Sequence, residues 1–254
     1  MNEKEIFAFL DEKAHEFNTP EYIESDPLQI PHRFLLRQDI EISGFFSATI
    51  AWGNRKSIIK DADKIMNVMG NNPYDFVMNA SEKHFKAIEN QSLHRTFNGD
   101  DFKFFVLSLR NIFTKHESLE KLFLLGENES NFYHALHRFR ERFVGDQPHR
   151  SHKHISSSYK NSACKRLMMF LRWMVRQDNK GVDLGIWKEL DAQYLSCPLD
   201  VHSGNIARKL GILIRKQNDW KAVEELDILL RKYNPKDPAR YDFALFGLGA
   251  LEKF

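Results

Sequence analysis

Apolar residues recur at helical spacing along most of the chain. No run sustains the alternation of a half-buried strand, and no hairpin dipeptide separates two apolar runs. The pattern restricts the chain to an all-α fold. Glu5 to Phe17 places Ile6, Phe7, Leu10 and Ala14 on one helical face, and His32 to Ile50 continues as a helix with small residues at Gly44, Ser47, Ala48 and Ala51. Ser57 is expected to cap the next helix, which runs through Met69 and stops at Gly70-Asn71-Asn72-Pro73. A short helix is expected within Pro73 to Lys86, and further ones over Phe102 to Phe113 and Asn131 to Val144. Ser162 opens another through R-L-M-M-F-L-R-W-M-V-R, and a short helix is expected around Trp187. Asp219 caps Trp220 to Tyr233, and Tyr241 to Leu251 closes the series. Asn18 to Pro31, with Pro20, Pro27 and Pro31, reads as an extended loop. Gly145 to Asn161 reads as a long loop that is polar, serine-rich and basic.

At 254 residues the chain can bury a substantial core as one large domain or two small ones. With 37 basic against 35 acidic residues the formal charge is only +2, which excludes a histone-like polycation and leaves room for a local basic face. Cys164 and Cys197 are too few for a four-thiolate zinc or iron–sulfur site and supply no disulfide framework, so a reducing cytoplasm is expected. The opening M-N-E-K-E-I-F-A-F-L lacks a basic segment followed by an apolar run. No stretch reaches the roughly 18 apolar residues of a membrane span. A soluble cytoplasmic protein with no membrane partner is expected.

Several groups of residues could carry chemistry. In C-P-L-D-V-H-S-G-N-I-A-R-K-L-G (Cys197 to Gly211), Asp200 stands at a helix start, where backbone N–H groups and the helix dipole favour its ionised form. Such a carboxylate can deprotonate a nucleophile, stabilise a developing cation, or only cap. Lys165 lies in the first turn of its helix beside Lys160 and Arg166, cations that disfavour its charge as a nucleophilic amine requires; the alternative is a solvated or phosphate-contacting lysine. His149, His152, His154 and His202 admit a metal reading, although their spacing matches no zinc signature. The basic loop with Tyr159 fits contact with a nucleic-acid backbone better. Asp242 and Phe246, one helical turn apart, could bind the edge and the face of a base, or could belong to a core helix. Trp52 and Asn54 could stack and hydrogen-bond, or could fill a helix break.

Together, a lysine at a helix start, an aspartate capping a later helix in P-L-D-V-H-x-x-x-I-A-R-K-L-G and a final D-x-x-x-F-G-x-G resemble the helix-hairpin-helix DNA glycosylase superfamily. The archaeal oxoguanine glycosylase branch is nearest, since Lys165 and Asp200 stand 35 residues apart (200 − 165). Over its whole length the chain is similar to a bacterial family of uncharacterised function, DUF2400-like and common in Bacteroidetes, through A-W-G-N-R-K, H-R-T-F, R-L-M-M-F-L-R-W-M-V-R, P-L-D-V-H and Y-D-F-A-L-F-G-L-G. The resemblance implies one glycosylase-like unit of two helical subdomains with a cleft between them, approximately 32–144 and 145–254, the latter packed with 1–31. It implies a base-excision enzyme on duplex DNA, acting on an oxidised purine, with or without lyase activity and without cofactor or metal. The protein would act as a monomer on a flipped nucleotide. Lys165 would attack C1′ and Asp200 would assist. Trp52, Met169 and Phe246 would stack on the flipped base, with Asn54 and Asp242 at its edge. His152, His154, Ser158, Lys160, His202 and Arg208 would contact DNA. The alternative is a non-catalytic nucleic-acid-binding relative. The chain departs from the family at its hairpin, where S-S-S-Y-K-N-S-A-C has no glycine in place of L-P-G-V-G, and in lacking iron–sulfur cysteines.

Overall fold

The computed structural model describes residues 1–252 and Phe254. They form a mostly helical protein: α1 (Glu3–Phe17), α2 (Pro20–Glu24), α3 (Arg37–Thr49), α4 (Arg55–Val68), α5 (Pro73–Asn79), α6 (Glu82–Lys86), α7 (Gly99–Phe113), α8 (Tyr133–Val144), α9 (Lys165–Val175), α10 (Val201–Lys209), α11 (Trp220–Tyr233) and α12 (Tyr241–Gly247). Among the described residues no helix is long and apolar enough to cross a membrane. The chain divides into two compact units. A terminal unit comprises Met1–Tyr22, Leu125–His137 and Ser157–Phe254, and an inner unit comprises Ile23–Leu124 and Arg138–Ser156.

In the inner unit, α3 is buried at every position from Asp39 to Thr49. Its small residues Gly44, Ser47 and Ala48 let neighbouring chain approach, while Phe45 and Phe46 reach into a cluster of rings. Phe45 meets Phe105, Phe139 and Phe143 with centroids 5.2–5.8 Å apart, and Phe97 meets Phe105 edge-on at 5.2 Å. Each buried phenylalanine contributes about 1.5–3 kcal/mol by leaving water, which makes this cluster the dominant cohesive element of the unit. Glu41 is fully buried in the same helix and accepts hydrogen bonds from Ser118 Oγ (2.5 Å), Leu119 N (2.9 Å) and Arg37 Nε (3.2 Å).

The expectation of a purely helical chain needs one correction. Two short strands, β1 (Ser92–His94) and β2 (Phe97–Asn98), pair antiparallel. Their turn is Arg95-Thr96, with Arg95 in the left-handed region at φ 51° and Ser92 Oγ donating to its carbonyl at 2.9 Å. An arginine is an unusual residue for that conformation, so the turn carries no composition signal.

In the terminal unit, α1 packs on α12. A Cβ at Gly247 would run into the ring of Phe17, so glycine there sets how closely the two helices approach. Phe7 stacks on Tyr233 at 3.8 Å and meets Tyr241 edge-on at 5.4 Å. The helix α9 is buried from Leu167 to Val175, including Arg172.

Other boundaries moved for local reasons. The cap of α4 is Asn54, whose Oδ1 accepts from Ser57 N, rather than Ser57 itself. No helix forms around Trp187. The backbone N–H groups of Leu184, Gly185 and Trp187 instead satisfy the carbonyls of Trp173 and Met174 at the end of α9. The proline-rich Asn18 to Pro31 segment folds into α2 and the 3₁₀ turns Pro27–Gln29 and Pro31–Arg33.

Candidate functional site

The start of α9 is reached through two residues in the left-handed region, Asn161 (φ 60°) and Cys164 (φ 48°). Asn and Cys thus adopt here, without glycine, the conformation that glycines usually supply in turns. The segment is tied to the start of α11. Asn161 Nδ2 donates to Asp219 Oδ2 at 2.9 Å, and Trp220 N donates to Asn161 O at 3.1 Å. Asp219 also accepts from Arg215 and from Ala222 N, and these partners, Arg215 foremost, hold its carboxyl down at about 2. Lys165 is the first residue of the helix that emerges from this fixed turn.

Asp200 caps α10. Its Oδ1 accepts from His202 N (2.8 Å) and Ser203 N (3.0 Å), and Ser203 Oγ returns a bond from Asp200 N at 2.9 Å. Cap duty therefore falls on one carboxylate oxygen. The other, Oδ2, lies 3.7 Å from Lys165 Nζ, with the two side chains 20% and 24% exposed. The backbone is also anchored, since Asn218 Nδ2 donates to the Asp200 carbonyl at 2.9 Å and Arg208 Nη2 holds Asn218 Oδ1 at 2.6 Å. The arrangement is an amine beside a fixed carboxylate, both reachable from solvent.

Behind the pair lies a buried network. Arg172 pairs with Asp242 and, through Nε at 3.2 Å, with Asp183. Arg176 binds Asp183 (3.0 Å), Asp178 (2.8 Å) and Asp237 (2.9 Å). Both guanidinium groups lie against the ring of Phe243, at 4.4 and 5.2 Å. Asp242 also faces Cys197 Sγ at 3.8 Å. Burial pushes its carboxyl up to about 6 against the pull of Arg172, and it feels Asp200 and Lys165 with opposite signs. Burial likewise raises the Cys197 thiol.

The family described as "Protein of unknown function (DUF2400)" matches residues 26–251. The chain belongs to this DUF2400 family. No curated protein and no solved structure matches it.

Other residues singled out from the sequence fall in varied settings. Met169 is buried in α9, and Phe246 is half-exposed with its ring edge-on to His202 at 5.9 Å. His202 and Lys160 are exposed, while Ser158 is buried with Oγ donating to the Tyr133 carbonyl at 2.7 Å. Arg208 holds Asn218 and the Arg215 carbonyl. In the inner unit, Asn54 is an exposed cap and Trp52 stacks on His154 at 5.6 Å. Buried His154 lies 3.4 Å from Asp101. Burial would raise Asp101, but His154, Ser151 Oγ (2.7 Å) and Asn98 N (3.1 Å) together hold it down at about 2. His152 is half-buried, and desolvation lowers its pKa. Among the described residues no three His, Cys, Asp or Glu side chains group as metal ligands.

Sequence reasoning overlooked Arg172, Asn218 and Arg95. Arg172 and Arg176 had a readable signal: an arginine inside the apolar helix α9 and a second at its C-cap four residues on, both buried, require carboxylate partners. Asn218 and Arg95 had none.

Proposed function

We propose that this DUF2400 protein is a DNA base-excision glycosylase, with Lys165 as nucleophile and Asp200 as its proton acceptor. The single observation that carries the reading is the approach of Asp200 Oδ2 to Lys165 Nζ at 3.7 Å, while the cap of α10 occupies only Oδ1. A carboxylate needed merely as a cap has no requirement for an amine at its second oxygen. The resemblance of the Lys165 and P-L-D-V-H segments to helix-hairpin-helix glycosylases supplies the reaction class.

An amine attacks only when unprotonated. The reactive form is therefore the one in which Nζ has lost its proton, with Asp200 Oδ2 the nearest acceptor. The Nζ–C1′ bond forms as the C1′–N bond to the base breaks, and the base leaves with that bonding pair and takes up a proton. The nitrogen then gives up its second proton and its lone pair expels O4′, which keeps the C1′–O4′ bonding pair and takes up that proton, giving a protonated Schiff base in the opened sugar. Water hydrolyses it directly, or after strand cleavage where the enzyme is also a lyase. An oxidised purine is the substrate class implied by the nearest glycosylase branch, with Met169, Asp242 and Phe246 assigned to the base.

Borohydride trapping on duplexes bearing 8-oxoguanine, uracil or an abasic site tests the proposal. A covalent adduct in the parent and none in Lys165→Ala is the expected result. Absence of an adduct and of released base on every duplex would sink the assignment.

A further inference from the structure

The inner unit holds a cleft of about 570 Å³ that the lysine chemistry does not use. Its lining includes the cations Arg95, Arg150 and Lys153 and the carboxylates of Glu89 and Asp100. Its cationic side is a built arrangement. Arg95 sits at the tip of the β1–β2 hairpin at φ 51°, a conformation that arginine adopts only when its surroundings impose it. Its guanidinium lies over Gly53, itself at φ 100°, and a Cβ there would be 2.5 Å from Arg95 Nη1. Two unusual backbone positions, in the W-G-N-R-K and H-R-T-F segments, therefore combine to lay one guanidinium at the cleft.

Having been placed, it is left with open donors. Among the described residues the Arg95 side chain makes no hydrogen bond or ion pair, whereas its neighbour Arg150 is fixed by Asn98 Oδ1, the Thr96 carbonyl (3.3 Å) and Asp101 (3.1 Å). Lys153 is exposed and also lacks an ion pair among the described residues. An open, planar donor fork flanked by two further cations matches a phosphate group. With Arg150 paired to Asp101, the charges of Arg95 and Lys153 stand against those of Glu89 and Asp100, so the attraction for an anion is local to the Arg95 fork.

We infer that this cleft is a phosphate site centred on Arg95, and that the phosphate it takes is a phosphodiester of a nucleic-acid backbone. The choice of nucleic acid rests on the proposed function, whereas the phosphate site itself does not.

The test is fluorescence anisotropy with a labelled duplex from 50 to 200 mM salt. Arg95→Gln/Lys153→Gln is compared with the parent and with Lys4→Gln/Lys236→Gln, which removes the same charge from exposed lysines elsewhere. The cleft variant should bind about tenfold more weakly at 100 mM salt, and its log K against log [salt] slope should be shallower by about two. Gly53→Ala displaces the guanidinium without changing charge, and should weaken binding about threefold if its thermal unfolding stays cooperative. Equal losses in the cleft and control variants, or no loss in either, would overturn the proposal. Should the parent bind inorganic phosphate through Arg95, seen as chemical-shift changes lost in Arg95→Gln, but bind no duplex, the nucleic-acid assignment is overturned and the phosphate site stands. Binding of neither overturns both. Intact duplex binding with no borohydride adduct would instead remove only the lysine chemistry.

Discussion

Arg172 and Arg95 show two opposite uses of the same side chain. In the terminal unit Arg172 is buried, paired with Asp183 and Asp242 and laid on Phe243, so all of its charge is consumed in holding α9 to α12 and to the Asp183 segment. In the inner unit Arg95 is exposed, held by backbone conformation, and has no carboxylate partner among the described residues. The difference teaches that an arginine saturated by the fold reports on stability, while one positioned and left open reports on a ligand.

The largest expected effect follows from removing the saturated one. Arg172→Ala strands the carboxylate of Asp242 in the interior, leaves Asp183 with Arg176 alone, and should cost about 3–5 kcal/mol in urea unfolding. Arg95→Ala should change stability by less than about 0.5 kcal/mol, as at most exposed positions. Equal costs would break the comparison.

The buried carboxylates sharpen it through pH. Burial pushes Asp227, in the terminal unit, up to about 6, whereas its donors hold Asp101, in the inner unit, down at about 2. A carboxyl raised in the folded state holds its proton more tightly there than in the unfolded chain. Asp227 therefore makes stability fall as pH rises from about 4 to about 6. Asp101 has the opposite sign: its contribution is present above the ordinary value of 3.8 and is lost as pH falls toward about 2. Melting temperatures across pH should show the decline between pH 4 and 6 flattened in Asp227→Asn, and the acid decline reduced in Asp101→Asn.

Asp200 also belongs among the small stability effects. Asn keeps an oxygen for the cap of α10, so Asp200→Asn should stay within about 0.5 kcal/mol of the parent, and Asp200→Ala should lose about 1 kcal/mol. Both should fail to form the borohydride adduct. An Asn variant that traps like the parent would leave Asp200 with the cap alone.

Much of this was legible in the sequence because it depends on local patterns. The caps Asp200 and Asp219, the extent of α11 and the place of Lys165 at the start of α9 all follow from residue preference and helical spacing. What escaped depends on partners distant in sequence. The hairpin turns on a left-handed Arg95, which propensity disfavours. The segment around Trp187 forms no helix because its N–H groups serve the end of α9, and Asp183 is drawn to two arginines. The approach of Oδ2 to Lys165 depends on the tie between Asn161 and Asp219, 58 residues apart.

The packing of α1 on α12 has a consequence for how the protein is made. Synthesis delivers α1 well before α12, so the nascent chain carries Ile6, Phe7, Leu10 and Ala14 without their final partner until α12 has emerged. The segments of the inner unit have all emerged once Ser156 is out. The terminal unit, and with it the pairing of Arg172 with Asp242, can close only once α12 is out. A ribosome stalled between the two would therefore present the apolar face of α1 to chaperones and proteases before the lysine–aspartate pair has a finished scaffold.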